Sequence, residues 1–263
     1  MRIPYWHVDA FADRPFAGNQ AAVMQLDAWL EDDVLQAIGA ENMFAETAFV
    51  VPDASGAADW ELRWFTPEVE VGLCGHATLA AGHVLLGLEP GRNAVRFRTR
   101  KAGVLEVRRL EPGYELALPA IATAPGEFPA AVAALHGTPR EIWRSPERYA
   151  VFLYDSEEDI HALRPDFRAL AALGSEQFIA TAPGRGADVV SRVFVPGAGI
   201  DEDSVTGSAH AVLTPFWTAK LGRESFTAFQ ASARGGRLTC RLDDDRAWLG
   251  GACVTVVEGS FFL

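Results

Sequence analysis

Two segments of the chain place a glycine among small or polar residues directly before an apolar run. One spans residues 73–81 around Gly75, and the other spans residues 205–213 around Gly207. This pattern predicts a loop that turns into a buried helix, whose first backbone N–H groups have no partner within the helix. Two such helix N-termini, if they face each other, would bind an anionic group such as a carboxylate.

Glu46 is the strongest candidate for acid–base chemistry. It interrupts an apolar stretch that runs from Met43 to Val51, and a carboxyl group largely shielded from water is suited to general acid–base catalysis. The pattern alone leaves a second interpretation open, in which Glu46 lies on the solvent-facing side of an edge strand.

Cys74, His76 and Asp203 lie beside the two glycines. From the pattern alone, His76 could cap a helix, Asp203 could be one solvated member of the acidic run 201–203, and Cys74 could be a small buried residue. Cys74 and His76 supply two metal ligands, and no second Cys/His pair stands at a usable spacing. No glycine-rich nucleotide motif is present either, so we predict neither a metal nor a cofactor.

Composition limits the classes of partner. The 263 residues carry a formal net charge of −12, which argues against nucleic acid or an anionic membrane surface as a partner. No apolar run approaches the ~20 residues of a membrane span. Three cysteines without a pairing pattern and no secretory segment at the first residues favour a cytoplasmic protein.

Most of the chain alternates apolar and polar residues with a period of two. This alternation predicts strands, with the clearest examples at 60–64, 105–108 and 238–242. Two amphipathic helices are expected at 29–40 and 165–173. Two further helices, at 77–88 and 209–221, are apolar on nearly every side and should be buried. Pro215 lies inside the last of these and should kink it or end it early.

The two halves of the chain repeat the order strand, strand, proline, acidic loop, glycine, buried helix. Aligning the segment 44–48 with 178–182 matches Glu46 with Ala180, while the glycine junctions match Cys74 with Thr206. We therefore expect an α+β fold made of two halves, 1–118 and 119–263, with 119–126 as the linker. Each half should be a curved mixed sheet around one central helix, and the last strand could return to the first half. The cleft between the halves is the expected ligand site.

Several ordered motifs resemble the phenazine-biosynthesis PhzF-like proteins. They are the segments 8–11, 16–19, 46–50, 73–78, 202–210 and 234–240, together with Gly250 and Gly259, and they span nearly the whole chain. The resemblance implies a diaminopimelate-epimerase-like fold with two pseudo-symmetric, barrel-like halves. It also implies cofactor-independent isomerisation by proton transfer and a homodimer.

The resemblance also implies roles for individual residues. Glu46, His76 and Asp203 would be catalytic, and the substrate-binding residues would be Asn19, Gly75, Gly207 and Ser208. The substrate would be a small, cyclic and unsaturated carboxylic acid. Two alternatives stay open: an amino- or hydroxy-acid epimerase or racemase, and a non-catalytic small-molecule-binding protein. Thr206 opposite Cys74 disfavours a racemase that uses two thiols.

Overall fold

The computed structural model describes residues 1–263, which form an α+β protein of mainly strands. The α-helices are α1 (Asp32–Asn42), α2 (Gly75–Leu88), α3 (Pro129–Leu135), α4 (Glu157–Ala162), α5 (Phe167–Ala171) and α6 (Gly207–Leu221). The first strands are β1 (Arg2–Ala10), β2 (Asn19–Gln25), β3 (Glu46–Pro52), β4 (Trp60–Phe65), β5 (Glu70–Val71), β6 (Ala94–Thr99), β7 (Val104–Arg109), β8 (Tyr114–Pro119) and β9 (Ala124–Pro125). The others are β10 (Glu141–Ser145), β11 (Tyr149–Leu153), β12 (Gln177–Pro183), β13 (Val189–Val195), β14 (Ile200–Asp203), β15 (Ser225–Gln230), β16 (Gly236–Asp243), β17 (Arg246–Gly251) and β18 (Cys253–Phe262).

The chain divides into two compact units. The first comprises Met1–Leu118 with Leu249–Leu263, and the second comprises Pro119–Trp248. The last strand, β18, therefore lies in the first unit, where it pairs antiparallel with β1.

The first unit is a mixed sheet around helix α2. Its strands lie in the order β18, β1, β2, β3, β4, β6, β7, β8, and only the pairs β2/β3 and β4/β6 are parallel. Helix α2 contacts β1, β2, β3, β6, β7 and β18. It is buried along most of its length because its sequence is apolar on nearly every side.

The second unit repeats this topology. Its strands lie in the order β9, β10, β11, β12, β13, β15, β16, and only β11/β12 and β13/β15 are parallel. Its core includes the fully buried rings of Phe152, Phe178 and Phe194. Burial of each such side chain contributes about 1.5–3 kcal/mol. The residues predicted as a linker form the start of this unit, where β9 pairs with β10.

Helix α6 continues past Pro215 to Leu221, so it does not end early at the proline. Proline lacks the N–H that would bond the carbonyl of Ala211, four residues earlier. That carbonyl accepts a hydrogen bond from the backbone N–H of Ile121 at 3.1 Å instead. The polar group that the proline leaves without a helical partner is thus satisfied from outside the helix.

The predicted strands at 60–64, 105–108 and 238–242 are confirmed as parts of β4, β7 and β16. The two buried helices begin two residues earlier than predicted, at the glycines themselves. The two amphipathic helices are shorter than predicted, at Asp32–Asn42 and Phe167–Ala171. None of the helices is long and apolar enough to cross a membrane.

Candidate active site

Glu46 is the first residue of β3, at the point where the chain enters the sheet from helix α1. It pairs with Ala21 of β2 in a parallel ladder. Its side chain is 15% exposed, so the interpretation of a solvated carboxylate on an edge strand does not hold. The carboxylate reaches toward the N-terminus of α2.

His76, the second residue of α2, lies against this carboxylate. Its Nε2 atom is 3.1 Å from Oε2 of Glu46 and 3.2 Å from the carbonyl oxygen of Gln20. Both neighbours are acceptors, so Nε2 must carry a hydrogen. On the other side of the ring, Nδ2 of Asn19 lies 3.1 Å from Nδ1 and donates to it when the imidazole is neutral. Asn19 and Gln20 therefore fix both the ring orientation and the tautomer.

One oxygen atom of the Glu46 carboxylate has no hydrogen-bond donor. Its Oε2 atom is buried and accepts no hydrogen bond from the protein, because the Nε2–H of His76 is directed at the Gln20 carbonyl. A buried polar atom without a hydrogen bond is costly.

The electrostatics of His76 reflect competing effects. Burial alone would lower its pKa, but the interactions with Cys74 and with the Glu46 carboxylate outweigh burial and raise the pKa well above the ordinary value. The imidazole is therefore readily protonated beside the Glu46 carboxylate.

Cys74 precedes α2 and is 6% exposed. Burial raises the pKa of its thiol to about 11, so the group is a neutral thiol at physiological pH. Its Sγ atom lies 3.6 Å from Nδ1 of His76. A neutral thiol in this setting is a poor base.

Glu46, Cys74 and His76 bring ligand-type atoms within 4.8 Å of one another. The sequence analysis found only two of these three ligands, because Glu46 stands in a different segment. However, the imidazole lies between the other two groups and turns opposite nitrogens toward them. A cation held by all three residues would need one ring nitrogen of His76 to point at the space between Glu46 and Cys74. The arrangement therefore fits a chain of hydrogen bonds better than a cation site.

The structure brings Asn19, Glu46, Gly75 and His76 together in the first unit. Gly75 is the first residue of α2, and no side chain caps this helix. Its first backbone N–H groups can therefore bind an anion. The sequence analysis did not identify Gln20, whose contact is made by its backbone carbonyl and leaves no signature in the residue type.

Asp203, Gly207 and Ser208 lie at the corresponding junction of the second unit. The Thr206 hydroxyl donates to Oδ2 of Asp203 at 2.6 Å. Gln230 is fully buried and fixes the same loop: its Nε2 donates to the Asp203 carbonyl at 2.8 Å, and its Oε1 accepts from the Thr206 N–H at 2.9 Å. Sequence reasoning missed Gln230, whose position at the end of β15 resembles any polar strand end.

Strand register corrects one alignment between the halves. Ala21 pairs with Glu46 at the start of β3, and Tyr149 pairs with Gln177 at the start of β12, both in parallel ladders. The next residues of the two strands, Thr47 and Phe178, pair with Phe65 of β4 and Phe194 of β13. The counterpart of Glu46 is therefore Gln177, and the expected match with Ala180 is wrong.

The comparisons with known proteins cover the whole chain. Residues 8–259 match the family described as "Phenazine biosynthesis-like protein". An uncharacterized isomerase of Pseudomonas aeruginosa is 47% identical, with 100% of each chain covered. A phenazine biosynthesis-like domain-containing protein of Mus musculus is 36% identical, with 99% of each covered.

Solved structures agree with this relationship. The crystal structure of a PhzF-family phenazine biosynthesis protein from Enterococcus faecalis is 40% identical and matches with a TM-score of 0.92, covering 100% of both chains. A hydroxyproline epimerase from Agrobacterium vitis, 12% identical, shares the fold with a TM-score of 0.60 over 98% of this chain and 92% of its own. The chain therefore belongs to the phenazine biosynthesis-like (PhzF) family and has the α+β epimerase-like fold that the resemblance implied.

Proposed function

We propose that the protein is an isomerase in which Glu46 moves a proton on a small carboxylic acid without a cofactor. The observation that carries this proposal is the buried Oε2 atom of Glu46, which accepts no hydrogen bond and lies beside an imidazole held by Asn19 and Gln20. The names of the bacterial relatives support an isomerase.

A single carboxyl group both removes and returns the proton. Glu46 takes a proton from a carbon atom whose C–H bond is activated by a conjugated system, and the electron pair shifts along that system. The protonated Glu46 then returns the proton to a second carbon, which restores the carboxylate. A positioned group of this kind accelerates proton transfer by roughly 10²- to 10⁴-fold.

The other predicted residues have supporting roles. His76 would position Glu46 and stabilise its charge, and the uncapped N-terminus of α2 at Gly75 would stabilise the substrate carboxylate. We also propose that Asp203 takes part in catalysis and that Gly207 and Ser208 contribute to substrate binding, as the family resemblance implies. A cyclic unsaturated carboxylate is the proposed substrate class.

Hydrogen–deuterium exchange tests the assignment of Glu46. A panel of cyclic unsaturated carboxylic acids is incubated in D₂O with the wild type and Glu46→Gln, and deuterium in each acid is measured by NMR. We expect exchange into at least one acid and a decrease of roughly 10²-fold or more in the variant. The exposed Glu68 provides the control, since Glu68→Gln makes the same chemical change elsewhere.

Cys74→Ala separates this reaction from an amino- or hydroxy-acid racemase. Exchange that survives Glu46→Gln but is lost in Cys74→Ala would assign the proton transfer to the thiol. An acid that binds without any exchange would instead support a non-catalytic binding protein.

We further propose a cytoplasmic homodimer, as is usual for the family. Sedimentation equilibrium of the purified protein tests the dimer, and a mass corresponding to one chain of 28.4 kDa at micromolar concentration would contradict it.

A further inference from the structure

In each unit an arginine and a glutamate are joined by two hydrogen bonds. In the first unit, Nε and Nη2 of Arg63 donate to the two carboxylate oxygens of Glu70, both at 2.8 Å. In the second unit, Nε and Nη2 of Arg192 donate to the two carboxylate oxygens of Glu202, again both at 2.8 Å. Paired bonds of this kind fix the orientation of the two side chains as well as their separation.

Strand register makes the two pairs equivalent. Glu70 of β5 pairs with Phe65 of β4, and Glu202 of β14 pairs with Phe194 of β13. In both units the arginine stands two residues before this phenylalanine, and its Cζ atom lies 5.0 Å from the centroid of the ring. Each glutamate also precedes by five residues the glycine that begins the buried helix of its unit.

The side chains around the two glycine junctions are otherwise different in the two units. Three equivalent positions carry different chemistry, namely Glu46 and Gln177, Cys74 and Thr206, and His76 and Ser208. The arginine–glutamate pair is the same in both. Since both units share the loop that leads from a short strand to the glycine, we assign the pair to that loop and not to the chemistry of one unit.

An ion pair that is largely buried contributes little to stability by itself. The side chains of Arg192 and Glu202 are 14% and 21% exposed. The cost of removing two charges from water offsets most of their attraction, and apolar residues of similar size often replace such a pair without loss of stability. The geometry that the pair imposes is therefore its distinctive contribution.

The Arg192 guanidinium joins three elements of the second unit. It extends from β13 and binds Glu202 of β14. Its Nη1 atom donates to the carbonyl oxygens of Ile160 and Leu163, at the end of α4, at 3.2 and 3.1 Å. Strand β14 is thereby fastened to both β13 and α4.

The loop that follows β14 is held at both ends. Asp203 comes directly after Glu202 and is the last residue of this strand of only four residues. At the other end, the backbone N–H of Thr206 donates to Oε1 of the buried Gln230 at 2.9 Å. Loss of the Arg192 contact would release the Asp203 end and leave the Gln230 contact in place.

We propose that Arg192 is a positioning residue, which acts through Glu202 to hold the loop 203–206 and the carboxylate of Asp203 in place before Gly207. The participation of Asp203 in a reaction rests on the proposed isomerase function. The position of the loop does not, and it can be measured without a substrate.

Amide hydrogen exchange of the full protein, followed by NMR, tests the inference. The variant Arg192→Met/Glu202→Met removes both charges together, so that no unpaired charge is left buried. The Thr206 amide is bonded to Gln230 and exchanges when the loop opens. We expect it to exchange at least about tenfold faster than in the wild type, while the amides of the core strand β12 and the midpoint of urea unfolding change little.

Two further variants complete the comparison. Arg192→Lys keeps the positive charge but loses the planar fork of donors, so the Thr206 amide should exchange roughly 2- to 5-fold faster. Arg185→Met/Glu158→Met makes the same two changes at an ion pair of the second unit whose side chains are 77% and 54% exposed. This control should leave exchange of the Thr206 amide unchanged.

An unchanged exchange rate of the Thr206 amide in Arg192→Met/Glu202→Met overturns the proposal. Equal acceleration of this amide and of the β12 amides also overturns it, because the pair would then only stabilise the fold.

The carboxylic-acid panel separates this inference from the proposed function. With an acid that takes up deuterium in the wild type, Arg192→Met/Glu202→Met should slow the uptake roughly 10- to 100-fold, since a displacement of about 1 Å can cost 10²-fold. Uptake at the wild-type rate would contradict the positioning of Asp203. A panel in which no acid takes up deuterium contradicts the isomerase alone, because the amide measurement uses no substrate.

Discussion

Nε2 of His76 lies 3.1 Å from Oε2 of Glu46, yet its hydrogen is directed at the backbone carbonyl of Gln20. The imidazole therefore stabilises the carboxylate by charge while leaving its oxygen unbonded. This stabilisation is what the proposed role of Glu46 as a base requires.

NMR of the histidine side chain tests this relationship directly. In ¹⁵N-labelled protein at high pH, neutral His76 should show the tautomer with hydrogen on Nε2, because Nδ1 accepts from Asn19. Its pKa should lie above the ordinary value of 6.5. Glu46→Gln should lower that pKa, since a nearby negative charge that favours the imidazolium is lost.

Glu68→Gln serves as the control for the titration and should leave the pKa of His76 unchanged, because Glu68 is exposed and makes no contact with the ring. A His76 pKa that is the same in wild type and Glu46→Gln would contradict the proposed coupling.

The elements of this site could be predicted from the sequence, but their contacts could not. Alternation of apolar and polar residues indicates a strand with one buried face. A helical segment that is apolar on all sides indicates a buried helix. The contact between Asn19 and His76 joins residues 57 positions apart, and no local pattern encodes it. The family resemblance, rather than the pattern, selected these residues.

The misalignment of Glu46 with Ala180 has a specific cause. Phe44 and Phe178 occupy similar short motifs, and matching them shifts the second strand by three residues. The correct register depends on which residues of β2 and β11 pair with the following strands, and such pairing is a long-range property of the sheet. The three-residue shift in the alignment can be recognised only when the pairing of the strands is known.

Cys74 should be unreactive in the folded protein. Its thiol pKa of about 11 exceeds the ordinary value of 9, so the thiolate population at pH 8 is about 100-fold lower than for an ordinary cysteine. Alkylation by iodoacetamide, followed by peptide mass spectrometry, should show at least that decrease relative to the protein in denaturant. Rapid labelling of Cys74 in the native state would contradict this prediction and support Cys74 as a base.

His210 should make the protein sensitive to acid. It is fully buried, its Nδ1 donates to the Thr206 carbonyl at 2.8 Å, and burial lowers its pKa to about 4. The unfolded chain has an ordinary histidine pKa near 6.5 and binds the proton first, so stability decreases as the pH decreases below that value. The loss should reach about 3 kcal/mol by pH 4.

His210→Asn isolates this contribution, because the asparagine amide can still donate to Thr206 and does not titrate. Urea unfolding between pH 7 and pH 4 should show a smaller loss of stability in the variant than in the wild type. Parallel pH profiles for the two proteins would refute the assignment to His210.

Gly82 should be required for close packing of α2 against the sheet. A Cβ atom at this position would lie 2.4 Å from Cγ1 and 2.7 Å from Cβ of Val107 in β7. Gly82→Ala should therefore destabilise the protein by about 1–3 kcal/mol, although alanine is the better helix former by about 1 kcal/mol.

Gly87 provides the matched control, because it lies in the same helix and a Cβ there meets no atom within 4 Å. Gly87→Ala should leave stability unchanged or increase it by up to about 1 kcal/mol. The double variant Gly82→Ala/Val107→Ala should lose less unfolding free energy than the two single variants lose together, since the smaller residue at 107 makes room for the new methyl group. Equal effects of Gly82→Ala and Gly87→Ala in urea unfolding would show that helix propensity, and not contact with β7, determines the result.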